Sequence, residues 1–326
     1  MAASRNKPSA DDLPGRVGAF VAARLAPAES LCVGLSGGCD SVVLLHVLSR
    51  LGLGERLTAM HVHHGLSAHA DAWAGFCSDF CGRLPVLLKI VRVSVDRQSG
   101  LGLEAAARAA RYAALTQCGA DNLVLAHHQG DQAETLLFNL LRGAGVTGAS
   151  GMPAVRRVAG VNLLRPLLGV HRSVLEGYAQ QHGLRWIEDE SNADTRYSRN
   201  FLRHEVVPLL RQRFPAVEAT LAQAATHFGE ADELLAELAA VDWQNVREIN
   251  GSSASMSRLR QLPVPRLKNL LRHRLRTLGW QVPVASRLDE FARQLLAAAP
   301  DRHPVLQLPD GVMRVADRQL HWLPQK

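Results

Sequence analysis

Polar clusters break the apolar stretches in the first half of the chain, and each holds side chains able to do chemistry. Ser36-Gly37-Gly38-Cys39-Asp40-Ser41 lies between the apolar run Leu31–Leu35 and an apolar helical pattern (Val42, Val43, Leu44, Leu45, Val47, Leu48). A short buried strand, a glycine turn and a helix form an anion-binding arrangement: the glycines let the backbone approach the ligand, and N–H groups at the helix start point at negative charge. The Ser36 and Ser41 hydroxyls can add hydrogen bonds to phosphate oxygens. Asp40 would repel a phosphate unless a divalent cation lay between them, as when Mg²⁺ is held by a carboxylate and substrate phosphates. The loop has no G-x-x-x-x-G-K-[ST] lysine and no G-x-G-x-x-G. The bland alternative is an ordinary glycine turn before a helix capped by Asp40 or Ser41.

His127-His128-Gln129-Gly130-Asp131-Gln132-Ala133-Glu134-Thr135 is a second cluster. Asp131 and Glu134 are three apart and share a helix face. They either complement a helix dipole or demand a cation, whether Mg²⁺ or an amine. His61-Val62-His63-His64 lacks the spacing of a helical zinc site and suits a pocket wall or a strand end. Glu104, Arg108, Arg111 and Tyr112 group on one helix. A solvated face is the default there, while an arginine beside a phosphate site would stabilise developing negative charge. Asp189-Glu190-Ser191-Asn192 and Arg199-Asn200-Phe201-Leu202-Arg203 read as a surface loop and capped helix, or as a lid or nucleic-acid contact.

Strands are expected at Leu31–Leu35, Leu57–Val62, Val86–Val95, Leu123–Ala126 and Val161–Leu167, with helices at Leu103–Gln117, Ala133–Leu141 and His171–His182 between and after them. This alternation implies an α/β fold with a mostly parallel, doubly wound sheet, whose ligand sits beyond the carboxyl ends of the strands. Arg142–Gly151 is glycine-rich, either a mobile loop or a turn pressed on a ligand. The expected division is residues 1–212 as a phosphate-binding catalytic domain and 213–326 as a smaller helical domain. That second part would hold a long helix at Val217–Leu238, a Gly/Ser loop at Gly251–Ser257, a helix at Pro265–Leu278, and a short β-meander turning at Pro309-Asp310-Gly311. On the Pro265–Leu278 helix, Lys268, Arg272, Arg274 and Arg276 surround a leucine stripe.

At 326 residues with 47% apolar and 21% charged side chains the chain is globular, and a net charge of +7 suits a polyanionic partner. Aromatic residues are only 5%, which favours backbone contacts and one shaped pocket over extended base stacking. Five cysteines without a CxxC pair argue for reduced thiols in the cytoplasm and against a structural metal cluster. No signal peptide and no membrane-length apolar run is seen.

The loop Ser36–Ser41 resembles the SGGxDS loop of the PP-loop ATP pyrophosphatases. With HVHHGLS (61–67), ExxxRxxRY (104–112), HHxxDQAET (127–135), RGAG (142–145), LLRPLL (163–168), DESN (189–192) and RNFLR (199–203), the chain resembles the bacterial tRNA(Ile)-lysidine synthetases. Residues 215–326 follow that family's substrate-binding helical region by pattern. Some members carry a further C-terminal domain, which is not expected within residues 215–326. The resemblance implies that ATP adenylylates O2 of the wobble cytidine in a tRNA(Ile) with a CAU anticodon, and that the ε-amine of free L-lysine then expels AMP. It also implies the roles. Ser36, Gly37, Gly38, Cys39, Asp40 and Ser41 would hold the ATP phosphates. Asp40 and Asp131 would hold Mg²⁺, and Asp131 and Glu134 the metal or the lysine ammonium. Arg108 and Arg111 would serve the leaving group. His127, Asn200 and Arg203 would contact substrate, while Lys268, Arg272 and Arg276 meet tRNA phosphates. The alternatives are a PP-loop tRNA thiolase, expected to show CxxC pairs, and a non-catalytic adenine-nucleotide-binding protein.

Overall fold

The computed structural model describes residues 13–96, 102–190, 194–249, 251–299 and 302–325. The expectations for residues 1–12, for Ser191 and Asn192, and for the side chain of Glu104 fall outside these. The contact pattern divides the chain into two compact units, Met1–Gly229 and Glu230–Lys326.

In the first unit α1 (Leu13–Ala22) precedes β1 (Leu31–Gly34), α2 (Cys39–Ser49), β2 (Leu57–His63), α3 (Ala70–Gly82), β3 (Leu87–Arg92), α4 (Leu103–Leu115) and β4 (Asn122–Val124). Then come α5 (Gln129–Leu141), α6 (Val146–Ala149), β5 (Val155–Val158), β6 (Val161–Leu164), α7 (Arg172–Gln181) and α8 (Ser198–Phe201). A π-helical turn (Leu202–Val206) joins α8 to α9 (Val207–Arg213), and α10 (Val217–Val246) contains the division between units.

The sheet order is β3-β2-β1-β4-β6-β5. All neighbours are parallel except β5 and β6, which form an antiparallel hairpin. The doubly wound sheet expected from the strand–helix alternation is therefore present. Alternating side chains explain why both faces are covered. Leu31 and Val33 of β1 join one core with α1, α2, α3 and α7, whereas Cys32 joins the other with Met60, Val62, Leu115, Leu123 and Leu163. Helix α2 is apolar all round, with Val42, Val43, Leu44, Leu45, Val47 and Leu48 fully buried. A helix of that kind must be enclosed.

Departures from expectation have local causes. Val155–Val158 pairs as an edge strand although its two arginines spoil any apolar alternation. β3 is shorter than the Val86–Val95 run and is also an edge, which leaves Leu87 76% exposed. The glycine-rich stretch 142–151 is pinned to α5: Asn139 Nδ2 donates to Gly148 O at 2.7 Å. Gln132 makes hydrogen bonds in both directions with the Met152 backbone, at 2.8 and 3.0 Å.

The second unit holds the rest of α10, then β7 (Ser253–Ser255), α11 (Met256–Leu259), α12 (Val264–Thr277), α13 (Ala285–Ala297), β8 (Val305–Leu308), β9 (Gly311–Ala316) and β10 (Gln319–Pro324). The expected meander is β8–β10, and the segment expected as a Gly/Ser loop adds β7 beside β10. Ser253, Ala254 and Ser255 are small enough to lie buried there. Leu267, Leu270, Leu271 and Leu275 of α12 pack on Leu288, Phe291, Ala292 and Leu295 of α13. Arg274 does not face solvent with its basic neighbours: its guanidinium lies 3.9 Å from the Trp243 ring centre and 5.6 Å from that of Trp322. Among the described residues no helix is long and apolar enough to cross a membrane.

Candidate active site

A cleft of about 300 Å³ opens at the carboxyl ends of β1, β2 and β4, lined among others by Ser36, Gly38, Asp40, Ser41, His61, Arg111, His127, Asp131 and Asp189. This is the position at which an open parallel sheet binds its ligand.

The glycine turn is built by its own side chains. Ser41 is buried; its hydroxyl donates to Gly38 O at 3.0 Å and accepts from Ser36 N at 3.2 Å. Its one proton closes the loop, so the hydroxyl of Ser36, the more exposed of the two residues, donates to Ser41 Oγ at 3.0 Å and accepts from Gly38 N at 3.3 Å. Gly37 has φ +90°, and a Cβ there would fall 2.5 Å from Ile187 Cδ1. Ile187 N also donates to Gly37 O at 2.9 Å, so the segment before Asp189 is strapped to the turn. Cys39 is buried; burial pushes its thiol up to about 12, leaving its backbone as the useful part.

Asp40 opens α2, where a carboxylate complements the helix dipole. Its Oδ1 is buried without a hydrogen-bond partner. Its Oδ2 lies 3.8 Å from His128 Nε2, and Asp131 Oδ2 lies 3.7 Å from the same nitrogen. Because Gly130 N donates to His128 Nδ1 at 3.0 Å, the ring hydrogen is on Nε2, between the two acids. Burial pushes the Asp40 carboxyl above its ordinary range despite His128 and Arg172 nearby. For Asp131, burial acts in the same upward sense, but His128, His127 and Arg203 together hold it below.

The cation that Asp131 and Glu134 require is Arg203. Its Nε and Nη2 donate to the two oxygens of Glu134 at 2.7 and 2.9 Å, and Nη2 reaches Asp131 Oδ1 at 2.8 Å. Asp131 Oδ2 also accepts from His128 N at 2.9 Å, which caps α5. Arg203, expected to contact substrate, thus spends its guanidinium on the acids. Asn200 donates to Asp194 O at 3.0 Å. His127 lines the cleft and accepts on Nδ1 from Arg165 Nε at 3.2 Å; burial, with the nearby arginines, pushes its imidazole down to about 3. The helix pair separates: Arg111 lines the cleft, while Arg108 sits 5.1 Å from the Tyr112 ring centre. Lys268, Arg272 and Arg276 belong to the second unit. There Lys268 pairs with Asp289 at 2.6 Å and Arg276 lies 3.6 Å from Asp232.

Sequence reasoning assigned no role to His128, Ile187 or Arg165. Arg165 carried a signal, as a lone charge inside Leu163–Leu168, where it is 4% exposed and donates to Pro153 O at 2.7 Å.

For Mg²⁺ the donor set is sparse but of the right kind. Among the described residues no group of three or more His, Cys, Asp or Glu converges as a metal site. A hard cation taken largely by phosphate and water needs only one or two carboxylates. Asp40 with its orphaned oxygen, and Asp131 across His128, fit that need.

Fold and glycine turn together define a PP-loop ATP-binding protein. Residues 13–210 match the PP-loop domain family, and residues 255–321 match the TilS substrate binding domain. The chain is 49% identical over 311 residues to a tRNA(Ile)-lysidine synthase of Aromatoleum aromaticum, covering 94% of this chain and 72% of that protein. It is 46% identical to the one from Nitrosomonas europaea (86% of this chain, 62% of that one) and 44% identical to the one from Pseudomonas syringae pv. tomato (97% and 73%). The chain belongs to the tRNA(Ile)-lysidine synthase family. It spans between 62% and 73% of the length of these relatives. The fold is shared with the U34-tRNA thiolase NcsA from Methanococcus maripaludis, a structure with a [4Fe-4S] cluster (TM-score 0.57, 17% identity, 68% of this chain and 79% of that one).

Proposed function

We infer that this chain is an AMP-forming carbon–nitrogen ligase. It joins the ε-amine of free L-lysine to C2 of the wobble cytidine in a tRNA(Ile) with a CAU anticodon, in the cytoplasm. Cytidine O2 attacks the α-phosphorus of ATP and pyrophosphate leaves; the lysine amine then attacks C2, loses a proton, and AMP leaves. The observation that carries this reading is the juxtaposition of the glycine turn, with its N–H groups at the start of α2, and the partnerless Oδ1 of Asp40 at the cleft.

The backbone N–H groups of Gly37 and Cys39, with the Ser36 hydroxyl turned from Ser41 to the ligand, would hold phosphate oxygens. Ser41 keeps the turn in shape. Asp40, with Asp131, would hold Mg²⁺, which when bound neutralises phosphate charge. Arg111 is placed in the cleft to stabilise the departing pyrophosphate, and Arg108 positions Tyr112 beside it. Asp131, held below its ordinary range, and Glu134, which burial pushes above its own although Arg203 acts the other way, retain lone pairs able to accept from the lysine ammonium and to take its proton. His127 offers Nε2–H to the substrate base, while Asn200 steadies the 194–200 turn. Lys268, Arg272 and Arg276 would meet tRNA phosphates.

The test is mass analysis of nucleosides from tRNA(Ile) after incubation with ATP, Mg²⁺ and lysine, with AMP and pyrophosphate measured in parallel. A lysine adduct on the wobble cytidine, dependent on all three, is expected. Nucleotide turnover without an adduct would overturn the reading.

A further inference from the structure

The carboxylate pair is the first rung of a longer seam. Asp131, Glu134, Phe138 and Arg142 succeed one another at spacings of three and four, along one side of α5. Facing them, Arg199 and Arg203 stand one turn apart on α8 and the π-helical turn. Arg203 locks Asp131 and Glu134. One turn further out, the Phe138 ring is flanked by Arg142, its guanidinium 5.0 Å from the ring centre, and by Arg199 at 5.9 Å. On the same two helices Leu141 is 74% exposed and Phe201 47% exposed.

A half-buried aromatic ring framed by two guanidiniums, with exposed Leu141 and Phe201 on the same two helices, leaves apolar surface in water. It matches the chemistry of a single-stranded nucleotide, whose base stacks on rings or guanidinium planes and whose phosphate takes cations. We propose that the Phe138–Arg142–Arg199 rung seats a nucleotide of the RNA substrate next to the reacting base, so that the strand runs from the cleft outward along the α5–α8 seam. This rests on the function inferred above. Continuity with the cleft selects the occupant: α5 carries both the site carboxylates at its start and the ring one turn beyond.

The test compares steady-state lysidine formation by the full chain and by its variants. Phe138→Leu keeps apolar volume and removes the ring. Its KM for tRNA is expected to rise roughly tenfold, the scale of one lost base stack, with KM for ATP and lysine unchanged and Phe138→Tyr restoring it. Arg142→Gln with Arg199→Gln is expected to weaken binding of the anticodon stem-loop and to lower its salt slope by about 1.4, at roughly 0.7 per single-strand phosphate contact. The glutamine pair reads the seam even where Phe138→Leu unfolds. Tight tRNA binding and an unchanged salt slope in these variants, with lysidine made by the parent, would overturn the seam alone. No lysidine from the parent would overturn the functional reading instead.

Discussion

Arg203 and Glu134, 69 residues apart in the chain, form a two-pronged ion pair at 2.7 and 2.9 Å in which Glu134 is 6% exposed. The same guanidinium holds Asp131. Removing it leaves two acids facing each other at the start of α5. Truncating one partner of a buried pair costs about 3–5 kcal/mol, and the partial exposure of Arg203 sets the expectation for Arg203→Gln at roughly the lower end of that range. Urea unfolding at neutral pH measures it. Arg203→Lys should recover only part, since an ammonium cannot make the paired donation. A midpoint unchanged from the parent would show that the pair carries no weight in the fold.

Gly37 and Ile187 are a second long-range couple. Gly37→Ala should fail for two separable reasons: φ +90° strains any Cβ, and that Cβ would lie 2.5 Å from Ile187 Cδ1. Adding Ile187→Ala relieves the contact but not the dihedral. ATP affinity by calorimetry is therefore expected to fall by about tenfold or more in Gly37→Ala, the effect of a 1–2 kcal/mol strain at the turn. The double variant should recover only in part. Full recovery would show that the contact alone mattered.

These couples mark what the sequence could and could not reveal. Leu31–Leu35, Leu57–Val62 and Leu123–Ala126 are apolar because they are buried on both faces, so they read directly as parallel strands. The turn at Ser36–Ser41 was legible because its residue types are locally complete. Val155–Val158 was not, since an edge strand with exposed arginines needs no pattern. Likewise, Asp131 and Glu134 announced a need for a cation without saying that Arg203 meets it, because helical spacing gives a shared face and nothing about what packs there. Arg274 looked like one more solvent-facing charge on α12 until Trp243 and Trp322, distant in sequence, were brought against it.

Asp40 separates stability from activity. Its carboxyl is pushed above its ordinary 3.8, first by burial. The folded state then holds its proton more tightly than the unfolded one, so this group's contribution is fully favourable below 3.8 and is lost as pH rises through the folded value. Asp40→Asn abolishes that loss. The variant should unfold at higher urea than the parent at pH 7, the gap closing as pH approaches 3.8, while lysidine formation is abolished. Lower stability at pH 7 would mean that His128 and Arg172 outweigh burial and that the charge is net favourable in the fold.

On α12, Lys268, Arg272 and Arg276 recur every four residues, opposite the leucines that enter the core. Two of them already have acidic partners, Asp289 and Asp232. Exposed pairs of this kind contribute only about 0–1 kcal/mol, so converting all three to glutamine should leave the urea midpoint close to that of the parent. Phosphate contacts behave differently, because each releases condensed counterions. If the face meets duplex RNA, the log–log salt slope of tRNA affinity should fall by up to about 2.7, at roughly 0.9 per lost contact, and affinity should drop most at low salt. A slope identical to the parent's would remove this face from the interface.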